Sequence, residues 1–165
     1  MPSYWLMKSE PDECSIVDLE NAPGARVPWI GVRNYQARNF MRDAMQLGDG
    51  VLFYHSSCPE PGIAGLAEVA SAAYPDASQF DAKSPYFDPK SDAAKPRWLH
   101  VDVHHLATTP LLSLKAMRER QALASMVVLK PGNRLSITPV ARDEWRAVIE
   151  ALLELGASKT IRKLA

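Results

Sequence analysis

From Trp98 to His105 the pattern of side chains alternates. Leu99, Val101 and Val103 fall on one face, and Trp98, His100, Asp102 and His104 on the other. A period of two over that length marks a half-buried strand, so the chain must build a sheet around it. The other strand-like segments are short. Residues 3–8 hold Tyr4, Trp5, Leu6 and Met7, a strand follows the Leu-Gly-Asp-Gly turn at 51–56, a second extended stretch covers 62–74, and a brief strand is expected over 134–138.

Helices are expected between these strands. Ser15 and Asp18 form a capping-box variant before Ile16, Val17 and Leu19, with Pro23 and Gly24 as the stop. Asn34 is placed to cap a helix to about residue 46, with Ala37, Phe40, Met41 and Ala44 as its buried stripe. Ser113 caps another to about residue 123, and Trp145, Val148, Ile149, Leu152 and Leu153 mark an amphipathic helix ended by Gly156. No regular βαβ repeat emerges. The pattern therefore predicts one mixed α/β (α+β) domain over residues 1–156, helices surrounding a small curved β-sheet or barrel, followed by a basic tail at 157–165 that frays.

A hydrophobic content of 47% and a charged content of 23% suit a globular chain able to bury a full core. No apolar run approaches a membrane span, and Lys8, Glu10 and Pro11 come too early for a signal peptide, so the expectation is an intracellular, cytoplasmic protein (nuclear if eukaryotic), monomeric and without a membrane partner. Nineteen basic residues balance nineteen acidic ones, which argues against affinity drawn mainly from neutralising many phosphates. The charges are nonetheless segregated: Glu10, Asp12, Glu13, Asp18 and Glu20 crowd one stretch, while Lys115, Arg118, Arg120, Lys130 and Arg134 face the single acid Glu119 in another. A loop of about twenty residues to Pro96 carries Phe80, Tyr86 and Phe87, a composition that predicts a loop pinned to the body.

The densest chemistry lies at 29–35, Trp-Ile-Gly-Val-Arg-Asn-Tyr. A π-face at Trp29, close backbone approach at Gly31, parallel N–H donors at Arg33 and an amide at Asn34 are parts that can grip a planar polar ligand. Taken singly, a tryptophan is more often core and an arginine more often an ion pair; together with Tyr54, His55 and Ser56 they make a cluster richer than a core needs. Catalytic alternatives lack parts. His55 and Cys58 are badly spaced on a strand, the histidines at 100, 104 and 105 lack a third metal ligand and read as solvated, and Cys14 with Cys58 makes neither a CxxC pair nor a disulfide framework. No phosphate-binding glycine loop or nucleophile elbow is present, so no cofactor and no metal are expected. Lys8, Glu10 and His55 leave open an enzyme acting on a base or small metabolite, and a pocket for a free small molecule without nucleic acid is a further alternative.

The Lys-Ser-Glu-Pro motif at 8–11 and the Gly-Val-Arg-Asn-Tyr-Gln-Ala-Arg-Asn motif at 31–39 belong to a longer series, with 47–58, 79–90 and 134–139, whose order and distances resemble the EVE domain family. The resemblance implies a PUA-like fold, a small β-barrel with surrounding helices. It further implies a non-catalytic reader of a modified nucleobase in DNA or RNA, modified cytosine such as 5-methylcytosine being the leading candidate, held flipped out in an aromatic and polar pocket. On this chain the implied pocket comprises Lys8, Ser9 and Glu10; Trp29, Gly31, Val32, Arg33, Asn34 and Tyr35; Tyr54, His55 and Ser56; and Arg134 and Ser136. Arg38, Arg42 and Lys130 are the candidates for flanking phosphates. Ile30 stands where the family usually has an acidic residue, and Ser57 where it often has Asn.

Overall fold

In the computed structural model, which describes residues 2–165, the chain runs through β1 (Tyr4–Ser9), α1 (Ile16–Asn21), β2 (Arg26–Pro28), α2 (Tyr35–Asn39), β3 (Gly50–His55), β4 (Gly62–Val69), β5 (Tyr74–Pro75), β6 (Leu99–His100), β7 (Asp102–Ser113), α3 (Leu114–Arg118), β8 (Ile137–Val140) and α4 (Arg142–Glu154). Six strands form one sheet in the order β2-β7-β4-β3-β1-β8, and β5 pairs with β6 in a small second sheet. Within the large sheet β1 and β3 run parallel and the other pairs are antiparallel. This is the expected mixed α/β class, with β2 and β8 as the sheet's edges.

Alternation in the strands sorts side chains into two cores. Leu6, Leu52, Leu66 and Leu112 pack with Met117 of α3 and Trp145, Val148 and Leu152 of α4 on one face. Trp5, Met7, Val51 and Phe53 pack with Ile16 and Leu19 of α1, Ala37 of α2, Met41 and Trp29 on the other. The sheet is thus covered on both sides. Asp49, buried in the turn before β3, accepts from the Ser3 N–H, the Trp5 indole and the Gln46 N–H, so its carboxylate is satisfied and ties the β3 turn to the edge of β1.

The local signals match the folded caps. Ser15 and Asp18 close a reciprocal capping box on α1, Asn34 accepts from the Ala37 N–H, and Ser113 accepts from the Ala116 N–H. Lengths differ where packing intervenes. The helix expected to reach residue 46 is α2 followed by a π turn at Phe40–Ala44, and the helix from Ser113 ends at Arg118 before a separate 3-10 turn at Gln121–Leu123. The stretch expected at 62–74 stops at Val69, β8 begins at Ile137 and leaves Arg134 and Ser136 in the preceding loop, and β7 continues to Ser113 past the end of the alternation. Register shifts between Ile63 and Gly65 and between Leu66 and Ala67 break the period that makes such strands legible.

Two further expectations fail on burial. His100 is 4% exposed, not solvated, and its Nδ1 is buried without a hydrogen-bond partner among the described residues. The C-terminal tail does not fray: Lys159–Leu164 form a 3-10 helix, Ile161 is 2% exposed, and the Leu164 carbonyl accepts from the Trp145 indole at 2.7 Å. Apolar Ala157 and Ile161 supply the packing that a count of tail charges conceals.

Candidate nucleic-acid site

A cleft of ≈ 920 Å³, within the range of roughly 300–1,000 Å³ usual for ligand sites, opens where β1 and β3 end side by side. Lys8, Ser9 and Glu10 leave β1 into it, Ser56 and Ser57 leave β3, and the chain following β2 runs along it from Trp29 to Asn34. Asn133, Arg134 and Ser136 enter from the loop before β8, where the Ser136 carbonyl accepts from the Lys8 N–H at 2.8 Å. Glu13, Cys14 and Asp18 form the opposite lip.

The wall at 29–34 is locked to the long loop. Arg33 donates five hydrogen bonds, to the Tyr86 carbonyl from Nε and Nη2, to the Val32 carbonyl and Asp76 from Nη1, and to Ser78 from Nη2. Its guanidinium also lies 5.5 Å from the Tyr86 ring centre and 5.4 Å from that of Trp98. Asp76 is fully buried and accepts in addition from Gly31 and Ser78. Burial alone would raise its carboxyl, but the hydrogen bonds from Ser78, Gly31 and Arg33 outweigh that and hold it below its ordinary value.

Gly31 is required on two counts. Its φ of +85° is left-handed, and a Cβ there would lie 2.6 Å from Cζ of Tyr86. The Tyr86 ring covers this glycine and its hydroxyl donates to Glu13, so the loop reaches over to the acidic lip. Burial, then the bond to Glu13, pushes the Tyr86 hydroxyl up to about 12. Gln79, also buried, holds the loop's two ends by donating to the Asp76 and Trp98 carbonyls and accepting from the Trp98 N–H.

The structure brings eleven sequence-predicted residues to the cleft: Lys8, Ser9, Glu10, Trp29, Gly31, Val32, Arg33, Asn34, Ser56, Arg134 and Ser136. Their parts differ from expectation. Arg33 presents no free fork, because its donors are bound within the protein. Asn34 caps α2 through Oδ1. Trp29 is only 7% exposed, sits edge-on to Phe53 at 5.4 Å and offers the cleft the remainder of its surface. Ile30, in contrast, is 48% exposed on the cleft.

Three expected residues lie elsewhere. Tyr54 is buried in the core beneath α3 and α4, because alternation along β3 puts it on the same face as Leu52. Tyr35 stacks on Trp98 at 4.9 Å, outside the cleft. His55 turns towards α1, where Nε2 accepts from the Ile16 N–H at 3.1 Å, and burial lowers its pKa. That nitrogen is therefore occupied and cannot serve as the base required of a catalytic His55. Burial, with Asp18 and Glu13 close by, raises the Cys14 thiol, the reverse of nucleophile activation. Among the described residues no group of His, Cys, Asp or Glu is placed to hold a metal ion.

The phosphate candidates divide as well. Arg38 donates to Asn39 and the Arg97 carbonyl and lies over Tyr35, and Arg42 pairs with Asp43, whereas Lys130 is exposed. Asp76 and Tyr86 were not among the predicted site residues, although both shape the cleft. The turn-forming Pro75-Asp76 pair and the aromatic content of the loop carried the available signal.

The fold and cleft define a small mixed α/β binding domain, and comparison with known proteins names the class. The family model described as "EVE domain" matches residues 3–151, and the chain belongs to that family. It is 42% identical to thymocyte nuclear protein 1 of Homo sapiens over 166 residues, covering 90% of this chain and 73% of that protein. A hypothetical protein from Leishmania major has a similar structure, with a TM-score of 0.89 and 45% identity over 94% of this chain and 97% of that one. Human THYN1 in complex with 5-methylcytosine containing DNA aligns with a TM-score of 0.85 and 41% identity, covering 90% of this chain and 96% of that one. Among the described residues no helix is long and apolar enough to cross a membrane.

Proposed function

We propose that this EVE domain is a non-catalytic reader of a modified nucleobase of the modified-cytosine class, which it accepts from DNA into the cleft beside Trp29. The observation that carries the reading is the cleft itself, bounded by Trp29, Lys8–Glu10 and Arg134, in a chain that aligns over 90% of its length with a relative solved on DNA containing 5-methylcytosine. Burial lowers the Lys8 ammonium, and no carboxylate pairs with it among the described residues, so it remains free to donate to a ligand. Extruding a base costs a few kcal/mol, which stacking of about 1–3 kcal/mol and edge hydrogen bonds must offset. One base therefore yields modest affinity, and interactions with the flanking backbone supply the rest.

Calorimetric titration with two duplexes that differ in a single 5-methylcytosine tests this. The modified duplex should bind at least several-fold more tightly, and Lys8→Gln should reduce that preference. Equal affinity for both duplexes would overturn the reading.

A further inference from the structure

The basic residues of the domain include two groups. Arg26, Arg33, Arg42 and Arg120 are in ion pairs with Asp102, Asp76, Asp43 and Glu154. Lys8 and Arg134 at the cleft have no ion-pair partner among the described residues, and the same holds for Lys115 and Arg118 of α3. The latter two line a second groove of ≈ 340 Å³ together with Pro59, Glu60, Pro61, Ser113 and Leu114. The chain itself links this groove to the cleft, since β3 leaves by Ser56 and Ser57 on the cleft and reaches Pro59 two residues later.

The strands join the two sites a second way. Lys8 is the register partner of Tyr54 across β1 and β3. Burial raises the Tyr54 hydroxyl, and the charge of Arg118 opposes that rise, so Arg118 lies near the same point of the sheet. The lip that holds Glu13 and Asp18 is acidic and repels phosphate. The acid in the second groove is Glu60, against two exposed cations.

We propose that the sugar-phosphate backbone flanking the recognised base leaves the cleft on its Lys8 and Arg134 side and lies in the groove between Pro59–Pro61 and α3, where Lys115 and Arg118 hold its phosphates. The inference rests on reading the cleft as a nucleic-acid site, and it excludes Arg38 of α2 and Arg42 of the π turn that follows, both engaged within the protein. Four cations on one track predict a salt slope of roughly −3 to −4 in a plot of log affinity against log salt concentration on duplex DNA.

The test is fluorescence anisotropy of a labelled duplex with one 5-methylcytosine, and of its unmodified counterpart, titrated with the full chain over a series of NaCl concentrations. Lys115→Gln with Arg118→Gln should weaken both duplexes by the same several-fold factor and flatten the salt slope by about 2, about 1 for each phosphate no longer neutralised. The ratio between the duplexes should stay as in the parent. Arg42→Gln should change neither quantity. Unchanged affinity and slope in the double variant, with parental binding intact, overturns the track and leaves the base-reading function standing. A parent that binds both duplexes equally, with a slope that still flattens in the double variant, keeps the track and removes the base reading. A parent that binds neither duplex at low salt overturns both.

Discussion

The two sides of the cleft are built on opposite plans. Along 29–34 the polar groups are turned inward: Arg33, Asp76, Gly31 and Tyr86 satisfy one another and fasten the long loop to the sheet. Around Lys8 and Arg134 the side chains have no ion-pair partners among the described residues and remain available to a ligand. The residues most conspicuous in the sequence are thus largely scaffold, and less conspicuous ones are left open on the cleft. A buried carboxylate must be hydrogen-bonded to be tolerated, so Asp76 takes Nη1 of Arg33 with donors from Gly31 and Ser78, while Nε and Nη2 are spent on the Tyr86 carbonyl.

This contrast can be broken by substitution, since the first side should respond in stability and the second in binding. Gly31→Ala carries the largest expected effect, about 3 kcal/mol of destabilisation in chemical denaturation, because it adds left-handed strain to a clash with the Tyr86 ring. Limited proteolysis should then cut within residues 81–95. Arg33→Lys keeps the charge but removes the fork that serves Tyr86, Asp76 and Ser78; about 2 kcal/mol of destabilisation is expected. An Arg33→Lys variant of parental stability, binding DNA poorly, would show that the scaffold assignment is wrong.

Arg134→Gln tests the other side. Its side chain is exposed, so stability should stay within about 0.5 kcal/mol while DNA affinity falls about fivefold, close to 1 kcal/mol. Unfolding of this variant would erase the contrast. A smaller effect concerns His55, whose pKa burial holds below the ordinary 6.5. The unfolded chain then binds the proton more readily than the folded one. The stabilising contribution is whole above about pH 6.5 and is lost as pH falls through the lower folded-state value. His105, lowered by burial in the same way, adds to it. The urea midpoint should therefore drop between pH 7.5 and 5.5, and less steeply in His55→Gln. The smallest change expected is a gain: Ser57 has φ of +53°, a conformation Asn adopts more readily, so Ser57→Asn should add a few tenths of a kcal/mol.

Much of the local architecture was legible in the chain. Ser15, Asn34 and Ser113 cap the helices they were expected to cap, because a cap joins residues three apart and needs nothing from the rest of the molecule. That the residues at 8–10 and at 29–34 come together on one cleft was legible for a different reason, since their motifs resemble a family. Tyr54 and Tyr35 were not: Tyr54 shares Leu52's face, which only α3 and α4 turn into a closed core, and Tyr35 finds its partner in Trp98, sixty-three positions away. The packing of the tail was hidden for the same reason, because Ile161 is apolar among cations and only the folded core that holds Trp145 and α4 gives it somewhere to pack.

The sequence by itself determined the caps, the turns, the strand-forming segments, the mixed α/β class and the family, all of which follow from short-range periodicity or from motifs read in order. Only the tertiary structure decided that Arg33 would be bound to Asp76 and Tyr86, that Tyr86 would lie on Gly31, and that Lys8 and Arg134 would line the cleft with no ion-pair partner among the described residues. Those outcomes depend on hydrogen bonds and desolvation between segments dozens of residues apart, and no local pattern specifies which distant partner will satisfy a buried charge.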